Sequence, residues 1–157
     1  MSKGRLPGAS LGTKAFMNTC GSCNACCIAP VVSAVQKPAG QPCRHLRFGK
    51  HGCEVYKDRP QCCKTYTCLW LAGMFGGEDQ RPDKSGLLFE IHGTPFGDVF
   101  IVRELQPGKA KDLHPIFPRP YLVIDLSDIG ELILPTGTTP KQEENLRKAI
   151  AYLTEIA

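Results

Sequence analysis

The sequence predicts an α+β chain: a small cysteine-rich, metal-stabilised N-terminal module, then a short antiparallel sheet and a C-terminal helix. Three observations predict it. All nine cysteines lie between residues 20 and 68, so the thiols serve one local purpose and are not scattered through a core as small apolar residues. Short strand-like apolar segments separated by turn residues occur only beyond residue 86. A helix start signal at Thr139 is followed by apolar residues at helical spacing.

The elements follow in order. Residues 1–18 have little periodicity and are expected to form an N-terminal arm. Residues 19–78 form the cysteine-rich module. Ile28 to Val35 is apolar but broken by Pro30, and Pro38 and Pro42 follow, which is the pattern of a segment organised by ligands. A helix is expected over about Pro60 to Met74, with Asp58 or Arg59 at its cap, Pro60 in its first turn and Gly73, Gly76 and Gly77 ending it. Residues 79–157 form the sheet and helix, expected to pack with the module as one compact unit. Leu87 to Ile91 and Asp98 to Leu105 are predicted strands joined by the Gly93-Thr-Pro-Phe-Gly97 turn. Val99, Ile101 and Leu105 are expected to face one way, Phe100 and Val102 the other. Tyr121 to Leu126 and Glu131 to Leu134 are two further strands. Thr139 is the expected N-cap of the last helix, with Pro140 at its first position, Glu143 and Glu144 in its first turn, and Leu146, Ala149, Ile150 and Leu153 on its apolar face.

A length of 157 residues suits one domain, and 16 glycines with 13 prolines imply many short elements. The first 18 residues lack the apolar run of a secretory signal, and the apolar stretch near Leu69 to Phe75 is too short and glycine-broken to span a bilayer. A soluble cytoplasmic protein with no membrane partner is therefore expected. In that reducing compartment stable disulfides are unusual, so dense cysteine points to metal.

The net charge of +4 is local. Between residues 43 and 68, Arg44, Arg47, Lys50, Lys57, Arg59 and Lys64 face only Glu54 and Asp58, and the rest of the chain is balanced. Cations so placed lower thiol pKa values and offset the charge of several thiolates around a metal. Nucleic acid is not an expected partner, because the basic residues are not interleaved with a row of aromatics and the pI of about 8.6 is modest.

Two cysteines separated by two residues can bite one ion, and two such pairs close a tetrahedral four-thiolate site. Here the opening is denser: Cys20, Cys23 and Cys26 are three apart and Cys27 adjoins Cys26. Adjacent side chains point apart, so Cys26 and Cys27 can serve different metals or different faces of one polynuclear centre. Zinc and iron–sulfur chemistry both accept four thiolates, and spacing alone does not choose between them. The run matches a bacterial ferredoxin loop for three cysteines only, since the fourth is adjacent rather than four positions on. A thioredoxin reading of Cys20 and Cys23 lacks the preceding strand and the βαβ pattern.

The motifs Cys20-Gly-Ser-Cys23-Asn-Ala-Cys26-Cys27, Pro42-Cys43-Arg44-His45-Leu46, Gly52-Cys53-Glu54-Val55-Tyr56, Arg59-Pro60 and Cys63-Lys64-Thr-Tyr-Thr-Cys68 together resemble the zinc- or iron-chelating CxxCxxCC family, the YkgJ-type cysteine cluster proteins. The resemblance covers about residues 20–72, with a looser echo in Arg81-Pro82-Asp83-Lys84-Ser85-Gly86. It implies eight metal ligands: Cys20, Cys23, Cys26, Cys27, Cys43, Cys53, Cys63 and Cys68. Zinc is the expected occupant, iron or an iron–sulfur cluster the alternative, and a metal carrier or maturation factor a third role. Asn24 stands where the family commonly has glycine, a mild departure because asparagine tolerates a left-handed backbone. The family brings no settled reaction.

Cys62 is left over by this register, either as a small buried hydrophobe or as a replacement for its neighbour Cys63. His45 and His51 are expected to be exposed or to support the ligands, and His92 and His114 to be structural or solvated. Arg59-Pro60 reads as a turn that aims Cys63, with the guanidinium donating to thiolates or carbonyls. Tyr56, Tyr66 and Trp70 are expected to cover the metal core. No GxSxG, phosphate loop, HExxH or paired-carboxylate constellation is present, so an enzyme reading has no catalytic residues to name.

Overall fold

In the computed structural model, residues 18–48, 52–74, 77–113 and 119–156 are described. The expected N-terminal arm therefore lies almost wholly outside the described residues, as do Lys50, His51 and His114.

A four-stranded sheet forms the frame, from β3 (Leu87–Thr94), β4 (Gly97–Glu104), β5 (Tyr121–Ile124) and β6 (Gly130–Ile133) in that spatial order. Before it come a two-residue ladder of β1 (Leu46–Arg47) with β2 (Gly52–Cys53), and two short helices, α1 (Gln61–Thr65) and α2 (Pro82–Ser85). The chain closes with α3 (Pro140–Glu155). The expectation of an antiparallel sheet holds for β3–β4 and β5–β6, but β4 and β5 run parallel, so the sheet is mixed. The physical reason is the long connection over residues 105–120. A crossover of that length returns the chain to the end where it started, which a hairpin turn cannot do.

Register partners share a face of the sheet, and this sorts the core. Val99, Ile101 and Ile124 meet Leu146 and Ala149 of α3, with Ile150 and Leu153 packed beside them, as the helical spacing predicts. The same face continues past α3. The pairs Glu90↔Ile101 and Leu88↔Arg103 place Leu88, Glu90 and Arg103 on it, and there the cysteine-rich region takes over as the covering layer. Leu88 is buried with Ala25, Ala29, Cys68 and Trp70. Leu87, Phe89, Val102 and Tyr121 occupy the opposite face with Leu69 and Ala110, and Phe100 packs against them. Leu105 lies beyond the end of β4 and packs with the Trp70 and Leu88 group, on the face of Val99 and Ile101 as the alternation predicts.

The predicted helix over Pro60 to Met74 is realised only as α1, and Pro60 is its N-cap rather than a first-turn residue. Tyr66 turns extended (φ −67°, ψ 129°) and sends its hydroxyl to Glu90 Oε1 at 2.6 Å. Leu69 N–H then donates to Phe89 O at 2.9 Å, so the segment serves the outer edge of β3 instead of prolonging a helix. The start of α3 is as expected and firmer: Thr139 and Gln142 form a reciprocal capping box, and Pro140 follows the cap. Among the described residues no helix is long and apolar enough to cross a membrane.

Candidate metal centre

The array begins with a tight turn. Cys23 N–H donates to Cys20 O at 2.8 Å, and Gly21 takes the left-handed φ of 53° that the turn requires. Arg81 clamps this turn from the start of α2. Its guanidinium holds Asp83 through two bonds (2.6 and 2.9 Å) and donates to Ser22 Oγ at 3.3 Å. Asp83 in turn accepts from the Cys23 thiol. The echo Arg81-Pro82-Asp83 is thus part of the array's support, a role the sequence alone did not distinguish from ordinary turn chemistry.

A single 3-10 turn over Ala25–Cys27 carries the adjacent pair. Ala25 and Ala29 are small enough to seat it against Trp70 and Leu88, which leaves Cys26 and Cys27 half-buried. Asn24 enters this turn at φ −118°, so its tolerance for left-handed backbone is not used. Its side-chain Oδ1 is buried without a hydrogen-bond partner among the described residues.

The next loop is tied by Lys37, a residue the sequence reading did not single out. It is 4% exposed, and its ammonium donates to the carbonyls of Ile28 (2.6 Å), Pro30 (2.5 Å) and Pro38 (3.1 Å). All three donors of the group are spent on one loop, which compensates its burial. Gly40, at φ 67°, closes the loop against the sheet layer. A side chain there would set Cβ 2.2 Å from Leu126 O.

Cys43 returns to the start of the array through its N–H, which donates to Cys27 O at 2.8 Å. Leu46 N–H donates to Cys43 O at 2.9 Å, and Cys53 is the register partner of Leu46 across the β1–β2 ladder. Glu54 beside it pairs with His45 Nδ1 at 3.2 Å and with Arg47. His45 is therefore engaged with a carboxylate.

Arg59 lies over the Tyr56 ring, 3.8 Å from its centroid, and donates to Tyr56 O (2.7 Å) and Cys63 O (3.3 Å). It aims the Cys63 backbone through a carbonyl, one of the two roles expected of it. Tyr56 itself is 62% exposed and covers no core, a correction caused by this outward stack. Tyr66 and Trp70 do lie inward, packed with Cys23 and Cys68. Cys68 is buried, and Leu71 N–H points at its sulfur at 3.4 Å, an arrangement that favours a thiolate. Cys62 is exposed rather than buried, and its thiol is hydrogen-bonded to that of Cys63.

Electrostatics ties these positions together. Burial pushes the Cys20 thiol up, and the neighbouring Cys23 and Cys27 push it further. Burial also raises Cys23, with Cys68 adding to it, and raises Cys68, with Cys20 adding to it. Cys26 donates to Cys27 and so keeps its own proton far above the usual thiol range, while that bond and the Lys37 charge bring Cys27 down to about 7. Cys63 is pushed up to about 11 by burial and by Cys62, with Cys27 and Cys43 contributing. These influences run pairwise among the thiols, and Cys53 is tied to the region by the backbone pairing of β1 with β2.

Gathering thiols this way is unfavourable for ionisation, and a bound cation reverses that cost as the protons leave. The donor set suits a thiophilic metal. Its geometry is not closed: among the described residues, no three cysteine, histidine or carboxylate side chains converge closely enough to share an ion. No family model, curated protein or solved structure matches the chain.

Proposed function

We propose that the chain is a cytoplasmic metal-binding protein that chelates zinc through Cys20, Cys23, Cys26, Cys27, Cys43, Cys53, Cys63 and Cys68, as its resemblance to the CxxCxxCC family implies. One observation carries the reading. Backbone bonds tie Cys20 to Cys23 and Cys27 to Cys43, Cys23 packs with buried Cys68, and the buried Lys37 ammonium holds the loop between Cys27 and Cys43. Buried apolar cysteines have no need of a buried ammonium or of an amide aimed at sulfur. In a reducing compartment these thiols stay available for a metal.

Zinc fits because closed thiolate sites supply folding free energy to small loop-rich modules, and the described part of residues 18–74 has little regular structure of its own. The metal ion is the partner the array is built for, and the basic residues around it serve the thiolates rather than a nucleic acid.

Elemental analysis with acid-labile sulfide determination on anaerobically purified protein tests this. Zinc bound in stoichiometric amount without sulfide is expected. Iron with sulfide and visible charge-transfer absorption would move the same thiolates to iron–sulfur redox chemistry. Protein that is free of metal and takes none up under reducing conditions would overturn the proposal.

A further inference from the structure

The end of the sheet where β4 begins carries a cavity to which no cysteine contributes. β5 starts at Tyr121, one step before Leu122, the register partner of Ile101, so Gly97 to Val99 run on past its first residue. The space left is an open cavity of about 500 Å³ between β4, the Arg119-Pro120 segment that leads into β5, and the first turns of α3. Its floor is apolar, made by Phe100 and by the buried Leu146 and Ala149. Phe96 stands at the rim, 44% exposed, with its ring edge-on to Tyr152 and the two centroids 6.5 Å apart. An apolar hollow of this size with a few polar groups around it is the usual form of a small-molecule site.

Three polar side chains supply those groups. Asp98, Arg119 and Asn145 all line the cavity, and among the described residues none of them has a hydrogen-bond or ion-pair partner for its side chain. Arg119 lies over the Phe100 ring, 5.7 Å from its centroid, which sets the guanidinium above the apolar floor. Asp98 thus brings an opposite charge to the same cavity without pairing with it. The outward side of α3 behaves differently: Arg147 is bonded to Glu143 at 2.7 Å and Lys148 to Glu144 at 2.6 Å. Gln142 is spent on the capping box, so Asn145 is the polar residue of the helix left to the cavity.

We propose that this cavity binds a zwitterionic amino acid with an aromatic side chain. Arg119 takes the carboxylate, which a planar guanidinium can hold through two parallel bonds. Asp98 takes the ammonium, and the Asn145 amide adds a donor to the carboxylate. The side chain lies on Leu146 and Ala149 between Phe96 and Phe100, whose rings favour an edge-on or offset aromatic neighbour. Two opposite, unpaired charges in one hollow match a ligand that carries both better than one that carries either alone. The site shares no residue with the cysteine array, so it stands or falls apart from the zinc reading.

The test is a titration of the whole, isotopically labelled chain with L-phenylalanine, followed by its amide resonances. Saturable shifts are expected around residues 96–100, 119–121 and 142–149. Arg119→Ala and Asp98→Asn, both at exposed positions, should keep the wild-type spectrum elsewhere and weaken binding about tenfold each, the usual worth of one charge-assisted contact. On the wild-type chain, 3-phenylpropionate, which lacks the ammonium, and phenethylamine, which lacks the carboxylate, should each bind about tenfold more weakly than phenylalanine. These analogues do not depend on how a variant folds. Asp98→Asn should not weaken 3-phenylpropionate. Absence of saturable shifts up to about 10 mM phenylalanine, shifts that map outside the cavity, equal binding by a one-charge analogue, or unchanged affinity in both variants would overturn the proposal.

Discussion

The cysteine-rich region and the sheet–helix region reach order by different routes. In β3 to β6 and α3 the backbone satisfies itself in ladders and one long helix, and apolar clusters on both faces of the sheet supply the driving force. Among the described residues between 18 and 74, side chains and loop amides do that work: Lys37 on three carbonyls, Arg59 on two, and from outside the region Arg81 on Ser22. A fold held by such staples has few apolar contacts to spare and leans on whatever fills its centre. On the zinc reading, this difference is why a metal would be worth most to the region with the least secondary structure.

Removing the metal should therefore break the comparison open, with the largest effect of all. A structural zinc–thiolate site supplies on the order of 10 kcal/mol. Trp70 is the chain's only tryptophan and is 2% exposed in the cluster that joins Cys68 to Leu88, so it reports the junction directly. Chelation under reducing conditions is expected to shift its emission to the red while most far-UV signal from the sheet and α3 remains. Unchanged Trp70 emission after complete metal removal would count against a structural role.

The two regions also differed in how far they could be read from sequence. The strands, the faces of Val99, Ile101, Phe100 and Val102, and the Thr139 cap were legible because each rests on a local rule of period or capping. Direction was not: the parallel β4–β5 pair depends on where a long connection returns, which no local pattern states. In the cysteine-rich half, spacing showed that the thiols are dense and local, but which of them share an ion is not stated by spacing, because that depends on how loops without a local period are folded back. Lys37 and Glu90 were illegible because a buried charge looks like a surface charge until its partners are known. The helix expected to run to Met74 failed at Tyr66, where a long-range bond to Glu90 outweighs local preference.

Glu90 is where the two regions meet, and it carries the next largest effects. It is 3% exposed and joins Tyr66 of one region to Arg103 (3.0 Å) of the other, with His92 alongside. Glu90→Ala leaves Arg103 with only the more exposed Asp128 and is expected to cost about 3 kcal/mol, read by chemical denaturation. A cost below about 1 kcal/mol would mean that the junction is apolar in its energetics, resting on Leu88 and Trp70. Burial pushes the Glu90 carboxyl up, but His92, Arg103 and Tyr66 outweigh it and hold it below the usual carboxylate range. Its folded pKa is thus lower than its unfolded one. The contribution is complete above the unfolded value near about 4.3 and is lost as pH falls through the folded value. Acid titrations of the wild type and Glu90→Gln should therefore differ in slope only below about pH 5, and parallel profiles there would remove the role.

A smaller change sharpens the same seam from the loop side. Gly40→Ala forces Cβ against Leu126 O and occupies a left-handed conformation, at a cost of about 1–3 kcal/mol. Because the loop also carries Lys37, Trp70 emission and zinc retention should weaken together. Loss of stability without any change in zinc retention would show that the loop docks independently of the metal.

The smallest expected effect lies wholly within the sheet–helix region and serves as its control. Thr139→Ala removes the hydroxyl that accepts from Gln142 N–H at 3.2 Å, half of the capping box, while the Gln142 side chain can still reach Thr139's backbone N–H at 2.8 Å. A loss of about 1 kcal/mol is expected, seen as a lower denaturation midpoint with unchanged m. The cap sits at the solvent end of α3, whose buried contacts Leu146 and Ala149 lie on sheet residues that the cysteine-rich region does not cover. Zinc stoichiometry and Trp70 emission should therefore stay at wild-type values. If this substitution also loosened the metal, the two regions would be one cooperative unit, and the contrast between staples and ladders would describe only their architecture, not their stability.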